Sequence, residues 1–237
     1  MCRSPSITRV AVLAAMCCAM SACTQKSTPT ASTAPVVPTP NGALPGTTTW
    51  DFALLSGPDG PHGNPAIFTI PGQGSIIATV VESQSNPGFQ VWSKGFLDAP
   101  LSDERGLGFC GNYGTGGTCG NASPTGSEEV GDMFPDSTGN VTLTPSLILN
   151  FTGLAAGSVV DSVTLGSLGF GEGYSMSWSA DGVTYSVMAS GARTTGTSDV
   201  VAFPVHAGAN YLRFDQGTGI PGSDYVVETV HVTLPKP

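Results

Sequence analysis

From residue 47 onward, apolar positions fall in short runs of β-branched and aromatic residues separated by Gly, Pro, Asn and Asp, the spacing of a β-sandwich. These runs predict strands over 48–55, 66–70, 75–82, 88–94, 141–144, 147–152, 159–165, 173–179, 183–189, 198–203, 209–215 and 224–234. No stretch repeats apolar residues at helical spacing. A period of two is sharpest in three segments. Leu147, Leu149 and Phe151 alternate with Ile148 and Asn150; Leu212 and Phe214 with Tyr211, Arg213 and Asp215; and Val226, Val230, Val232 and Leu234 with Thr229, His231 and Thr233. Each pattern gives a strand with one buried and one solvated face. Tyr174, Met176 and Trp178 alternate with serines, which assigns Trp178 to the core, and Ala180-Asp181-Gly182 then turns the chain into Val183, Tyr185 and Val187 as a hairpin. The predicted fold class is all-β, a single antiparallel, jelly-roll-like β-sandwich over 47–237 with no internal repeat and no second linker.

Composition narrows the partners. The 237 residues include 32 Gly and 19 Pro, so about one residue in five resists a helix, which excludes a helical bundle. Only 11% of residues are charged, and 8 Lys+Arg against 17 Asp+Glu leave a net charge of −9. With no cluster of cations to meet phosphates, a nucleic-acid partner is excluded.

The first residues describe an address. Arg3 and Arg9 precede the apolar run Val10 to Met20, which ends in Ser21 and Ala22, the plan of a signal peptide. The run is far shorter than the roughly 20 residues needed to span a bilayer. Met20-Ser21-Ala22-Cys23 resembles the lipobox of bacterial lipoproteins. That resemblance implies cleavage after Ala22, acylation of Cys23, and a lipid bilayer as partner, each buried CH₂ of the acyl chains contributing about 0.8 kcal/mol. Residues 24–46 are rich in Ser, Thr, Ala and Pro without hydrophobic period, a disordered spacer reaching about 25–30 Å as a random coil. The domain plan is therefore a signal peptide over 1–22, a lipidated Cys with its linker over 23–46, and the sandwich over 47–237. The expected location is the bacterial cell envelope, facing the periplasm or the exterior.

Under the lipoprotein reading, Cys2, Cys17 and Cys18 leave with the signal and Cys23 carries lipid, so Cys110 and Cys119 remain. A flexible Gly-rich segment separates them, and in an exported protein they are expected to form a disulfide. Closing that loop stabilises the fold by roughly 2–3 kcal/mol in the chain-entropy account. Gly106-Leu107-Gly108-Phe109-Cys110-Gly111 fits G-x-G-x-x-G, but seven of the fifteen residues from Gly106 to Gly120 are Gly, so no helix follows to hold a pyrophosphate. The segment reads instead as a disulfide-closed loop.

Two sets of segments carry a wider resemblance. Ser177-Trp178-Ser179-Ala180-Asp181-Gly182-Val183-Thr184-Tyr185-Ser186, Asn210-Tyr211-Leu212-Arg213-Phe214 and the closing strand Tyr225 to Leu234 resemble the C-terminal half of discoidin-like, galactose-binding-like jelly rolls. Glu104-Arg105-Gly106-Leu107-Gly108 with its Cys pair, followed by the acidic patch Glu128 to Asp132 and the same hairpin, is similar to exported bacterial proteins that usually end in a PEP-CTERM sorting tail. Here the chain closes on Thr233-Leu234-Pro235-Lys236-Pro237, and lipidation is expected to take the place of that sorting. The likeness implies a surface or matrix role and no defined reaction.

Candidate chemistry is sparse. Glu128, Glu129, Asp132 and Asp136 offer oxygen ligands for calcium, although without EF-hand spacing, and a solvated acidic loop accounts for the same residues. No G-x-S-x-G, no H-E-x-x-H and no free Cys nucleophile occurs, and His62, His206 and His231 lie far apart, so no enzyme is expected. For a ligand, Tyr113 in the Cys loop is the expected exposed ring. Arg213 beside Asp215 is either a ligand contact or a structural ion pair. The function predicted is a membrane-anchored envelope lipoprotein with a structural or adhesive role that includes glycan or extracellular-matrix binding; the alternatives are a carbohydrate-binding module proper and a polysaccharide-active hydrolase or lyase.

Overall fold

The computed structural model describes residues 46–55, 60–82, 89–94, 105–111, 129–130, 134–135, 141–194, 200–217 and 225–235. In chain order its elements are β1 (Thr47–Asp51), α1 (Phe52–Leu55), β2 (Gly60–Pro61), β3 (Ala66–Ile70), β4 (Gly74–Val81), β5 (Phe89–Lys94), β6 (Gly106–Gly111), β7 (Phe134–Pro135), β8 (Val141–Leu143), β9 (Ser146–Asn150), β10 (Val159–Gly166), β11 (Gly173–Ser179), β12 (Ser186–Ala192), β13 (Val201–Pro204), β14 (Tyr211–Gln216) and β15 (Val226–Thr233). Two antiparallel sheets form a sandwich. One runs β13-β10-β15-β6-β5-β2, with β1 also on β15; the other runs β12-β11-β14-β9-β4-β3. β7 and β8 pair separately.

Alternation explains which residues fill the space between the sheets. Ile76, Ala78 and Val80 of β4, Leu147 and Leu149 of β9, and Leu212 and Phe214 of β14 meet Val91, Leu107, Phe109, Val163, Leu165, Val230 and Val232 of the other sheet in one buried cluster. Burying a large aliphatic or aromatic side chain contributes about 1.5–3 kcal/mol, so this cluster is the main source of stability. The pairing of β10 with β15 shifts register between Val160 and Ser162 and again between Thr164 and Leu165. The second shift leaves Glu228 without a counterpart on β10 and lets Val227 join the core in its place.

Several predicted boundaries move. The first strand stops at Asp51 and not at residue 55, because the Asp51 carboxylate accepts the Leu54 amide at 3.1 Å and caps a helical turn. The strand predicted over 183–189 begins three residues later, at Ser186, after a longer loop. The segment expected as a loop from Gly106 is a strand to Gly111, antiparallel to β5 and touching β15 at Val227. Gly106 has φ +150°, and a Cβ there would lie 2.5 Å from the Val227 carbonyl oxygen. Its glycine thus marks a close approach between strands rather than flexibility.

A tyrosine ties the sheets together. Tyr225, wholly buried just before β15, donates its hydroxyl to the Asp215 carbonyl at 2.8 Å and the Ser175 carbonyl at 3.2 Å, both on the opposite sheet. Burial first, and the nearby Asp215 second, push its pKa well up, so the hydroxyl stays a donor. Beside β5, His62 Nε2 pairs with Ser93 Oγ at 2.6 Å and burial lowers the His62 pKa. Among the described residues no helix is long and apolar enough to cross a membrane.

Two outcomes are expected. Tyr225→Phe leaves both carbonyls without their shared donor and lowers the unfolding free energy by about 1–3 kcal/mol in urea titration, with an unchanged m value. For His62, the folded chain holds the neutral form more strongly than the unfolded chain does. Below the ordinary value of 6.5 the unfolded chain takes up its proton first, so stability falls as pH drops below that value. Urea midpoints measured from pH 7.5 to 5 for wild type and H62Q are expected to show a shallower acid slope in the variant.

Candidate functional site

The outer face of the six-stranded sheet collects the polar and aromatic residues that alternate with its core. β14 lies between β11 and β9, with Leu212 opposite Trp178 and Leu149, and Phe214 opposite Met176 and Leu147. Since Leu212 and Phe214 face inward, Tyr211, Arg213 and Asp215 face out. Arg213 Nε donates to Asp215 Oδ1 at 2.9 Å and to Ser146 Oγ at 3.2 Å, and the Ser146 hydroxyl donates to the same Asp215 oxygen. The ion pair expected from sequence therefore exists, and buried Ser146 braces it from β9.

A preformed loop places a second tyrosine over this pair. Asp181 Oδ1 accepts the Val183 and Thr184 amides at 2.9 Å each and the Ser179 hydroxyl at 2.9 Å. The two amides, then the hydroxyl, hold the Asp181 carboxylate below its ordinary range, because each donor favours the ionised form. Asn210 Nδ2 donates to the Ala180 carbonyl at 2.8 Å and fastens the loop to the strand that follows. Gly182 at φ +77° packs so closely on Tyr211 that a Cβ would sit 2.9 Å from its ring. The loop then delivers Tyr185, whose ring centroid lies 6.0 Å from the Arg213 guanidinium carbon, at the edge of cation–π range. Burial raises the Tyr185 pKa, Arg213 opposes this, and Tyr211, Asp181 and Asp215 add to it, so all four groups act on one hydroxyl.

Other predicted residues fall elsewhere. Cys110 is buried on β6, in the opposite sheet from Arg213, and is disulfide-bonded. Glu129 is buried beside Val130, which bridges to Tyr225. Cys23, Tyr113, Cys119, Glu128, Asp132 and Asp136 lie outside the described residues. Among the described residues no three His, Cys, Asp or Glu are grouped to hold a metal ion. Trp178, expected in the core, is only partly buried at the rim, where it stacks on His206 with centroids 3.6 Å apart. His231 lies on the outer face of its sheet as expected, bonded to Thr49 Oγ1 at 3.0 Å. Ser93, the partner of His62, is wholly buried, so its hydroxyl is not presented to a substrate.

The sequence marks Arg213 as a candidate contact and puts Tyr211 on the same solvated face of its strand, but it gives Tyr185 only as a strand residue after the turn. The signal that joins them is the Asp181-Gly182 turn, which a strand prediction from residue 183 treats as a simple reversal.

No protein-family model matches the chain, and no curated protein matches it. Among solved structures it is similar to CpGH89CBM32-5 from Clostridium perfringens, in complex with GalNAc-β-1,3-galactose, with a TM-score of 0.29 and 11% identity, covering 68% of this chain and 95% of that chain.

Proposed function

We propose that this protein is a lipid-anchored component of a bacterial cell envelope that binds glycans through the outer face of its six-stranded sheet and performs no catalysis on them. One observation carries the reading: Tyr185, Tyr211, Arg213 and Asp215 form a single patch on a sheet face, fixed by Ser146 below and the Asp181 loop beside it. Sugars offer CH faces that pack on aromatic rings and hydroxyls that take and give hydrogen bonds, and this patch offers both kinds of contact within one surface. The lipid anchor is Cys23, the disulfide joins Cys110 to Cys119, and residues 24–46 form the spacer that holds the sandwich away from the bilayer. Cleavage removes Arg3 and Arg9 and takes the net charge from −9 to −11, so the mature chain gains nothing from anionic lipid headgroups, which leaves the patch for a soluble or matrix partner.

Two measurements test this. Intact-mass analysis of the membrane fraction is expected to show loss of residues 1–22, acyl chains on Cys23, and two hydrogens fewer for the cystine; a free protein retaining Met1 refutes the anchor. In affinity electrophoresis against a broad polysaccharide panel, at least one glycan is expected to retard the purified protein, and Tyr211→Ala to weaken that binding about tenfold, or about 1.4 kcal/mol. Failure of every polysaccharide to retard it, or unchanged binding by Y211A, refutes glycan recognition at this face.

A further inference from the structure

The ion pair at the centre of the patch leaves most of its hydrogen-bonding capacity unused. Arg213 spends Nε on Asp215 and Ser146, and its two terminal nitrogens hold no bond; Asp215 receives both donors on Oδ1, and Oδ2 receives none. None of these atoms is buried, and the Arg213 side chain is 40% exposed. The hydroxyls of Tyr185 and Tyr211 are likewise unbonded. Three polar pairs on the opposite sheet, by contrast, are engaged with each other: His231 with Thr49, Asp161 with Thr233, and Arg105 with Glu228. The site therefore presents an acceptor and a forked donor side by side, held at a fixed separation by the bonds on Nε and Oδ1.

Building on the glycan-binding reading, we infer that the patch recognises a neutral sugar by two adjacent hydroxyls and discriminates against carboxylated glycans. One hydroxyl donates to Asp215 Oδ2, and its neighbour accepts from the terminal nitrogens of Arg213. A hydroxyl pair does both at once, because each hydroxyl is donor and acceptor. A uronate whose carboxylate takes the Arg213 fork has nothing to give Asp215 Oδ2, and one that docks by its own ring hydroxyls brings the carboxylate up beside the same pair. It also meets Asp215 and Asp181 together against one guanidinium, in a chain of net charge −9. The half-buried rings of Tyr185 and Tyr211 flank the pair and supply the apolar contact.

The test compares neutral polysaccharides (mannan, xylan, galactan) with uronate polysaccharides (alginate, polygalacturonate) on the full-length protein and on Asp215→Asn, by affinity electrophoresis. Asn at 215 keeps the oxygen that receives Arg213 Nε and Ser146, but replaces Oδ2 with an amide donor. Wild type is expected to bind a neutral glycan at least tenfold more tightly than any uronate, with affinity nearly unchanged between about 20 mM and 500 mM NaCl, since no net charge pair forms. D215N is expected to lose at least tenfold on the neutral glycan and to shift the neutral-to-uronate ratio toward uronate. A wild-type preference for uronates, weakening with salt, overturns the inference while leaving glycan binding intact. A D215N protein with an unchanged ratio overturns it as well. If that variant fails to fold, the wild-type ratio decides alone, and retention of neither class refutes the underlying reading instead.

Discussion

The register of β14 between β11 and β9 is the constraint on which both the core and the surface patch depend. Its side chains alternate strictly, so the pairing that buries Leu212 and Phe214 also turns Tyr211, Arg213 and Asp215 outward. A slip by one residue would drive a guanidinium and a carboxylate into the cluster between the sheets and expel Leu212 and Phe214 from it. The hydrophobic effect therefore selects the register, and the position of the polar patch follows from it. Ser146 reinforces the same choice, since its hydroxyl lies within reach of Arg213 and Asp215 only in this alignment.

Much of this architecture was legible because alternation is a local signal. The strands at 66–70, 173–179 and 159–165 fall almost where the pattern places them, and both faces of β14 were assigned correctly. Apart from the end of β1, the departures share a physical cause: groups far apart in sequence override the local pattern. Gly-rich residues 106–111 read as a loop because glycine weakens a strand, yet Gly106 is needed where β6 crosses the Val227 backbone of β15. The shift opposite β10 at Glu228 likewise lets Val227 displace a charged residue from the core-facing series, whereas Asp51 ends β1 through a local cap on the Leu54 amide. Trp178 sits on the inward row with Leu212, but that row reaches the rim of the sandwich, where His206 covers the indole.

The patch was legible only in part, for a related reason. Arg213 and Asp215 are two apart on one strand, so their pairing can be read from the sequence. Ser146 is 67 residues from Arg213, and only the β9–β14 pairing brings them together. Tyr185 depends on how the loop from Ser179 folds. That loop is decided by one carboxylate oxygen of Asp181 collecting two amides and a hydroxyl, and by Gly182 making room for the Tyr211 ring. Hairpin propensity gives the reversal but not the conformation of its tip.

Asp215 joins the two roles of the molecule. Its carbonyl receives the Tyr225 hydroxyl from within the core, while its carboxylate receives Arg213 and Ser146 on the outer face. The backbone beneath the patch is thus anchored to the opposite sheet, and the side chains above it are held by bonds that folding has already formed. Ordering a long side chain on binding costs about 0.5–1.5 kcal/mol, and here Arg213 and Asp215 are ordered before any ligand arrives. Weak, shallow contacts can then produce measurable retention without a deep pocket. Under the proposed reading, a rigid sheet face with a pre-set donor and acceptor suits recognition of one small group that recurs along a polymer.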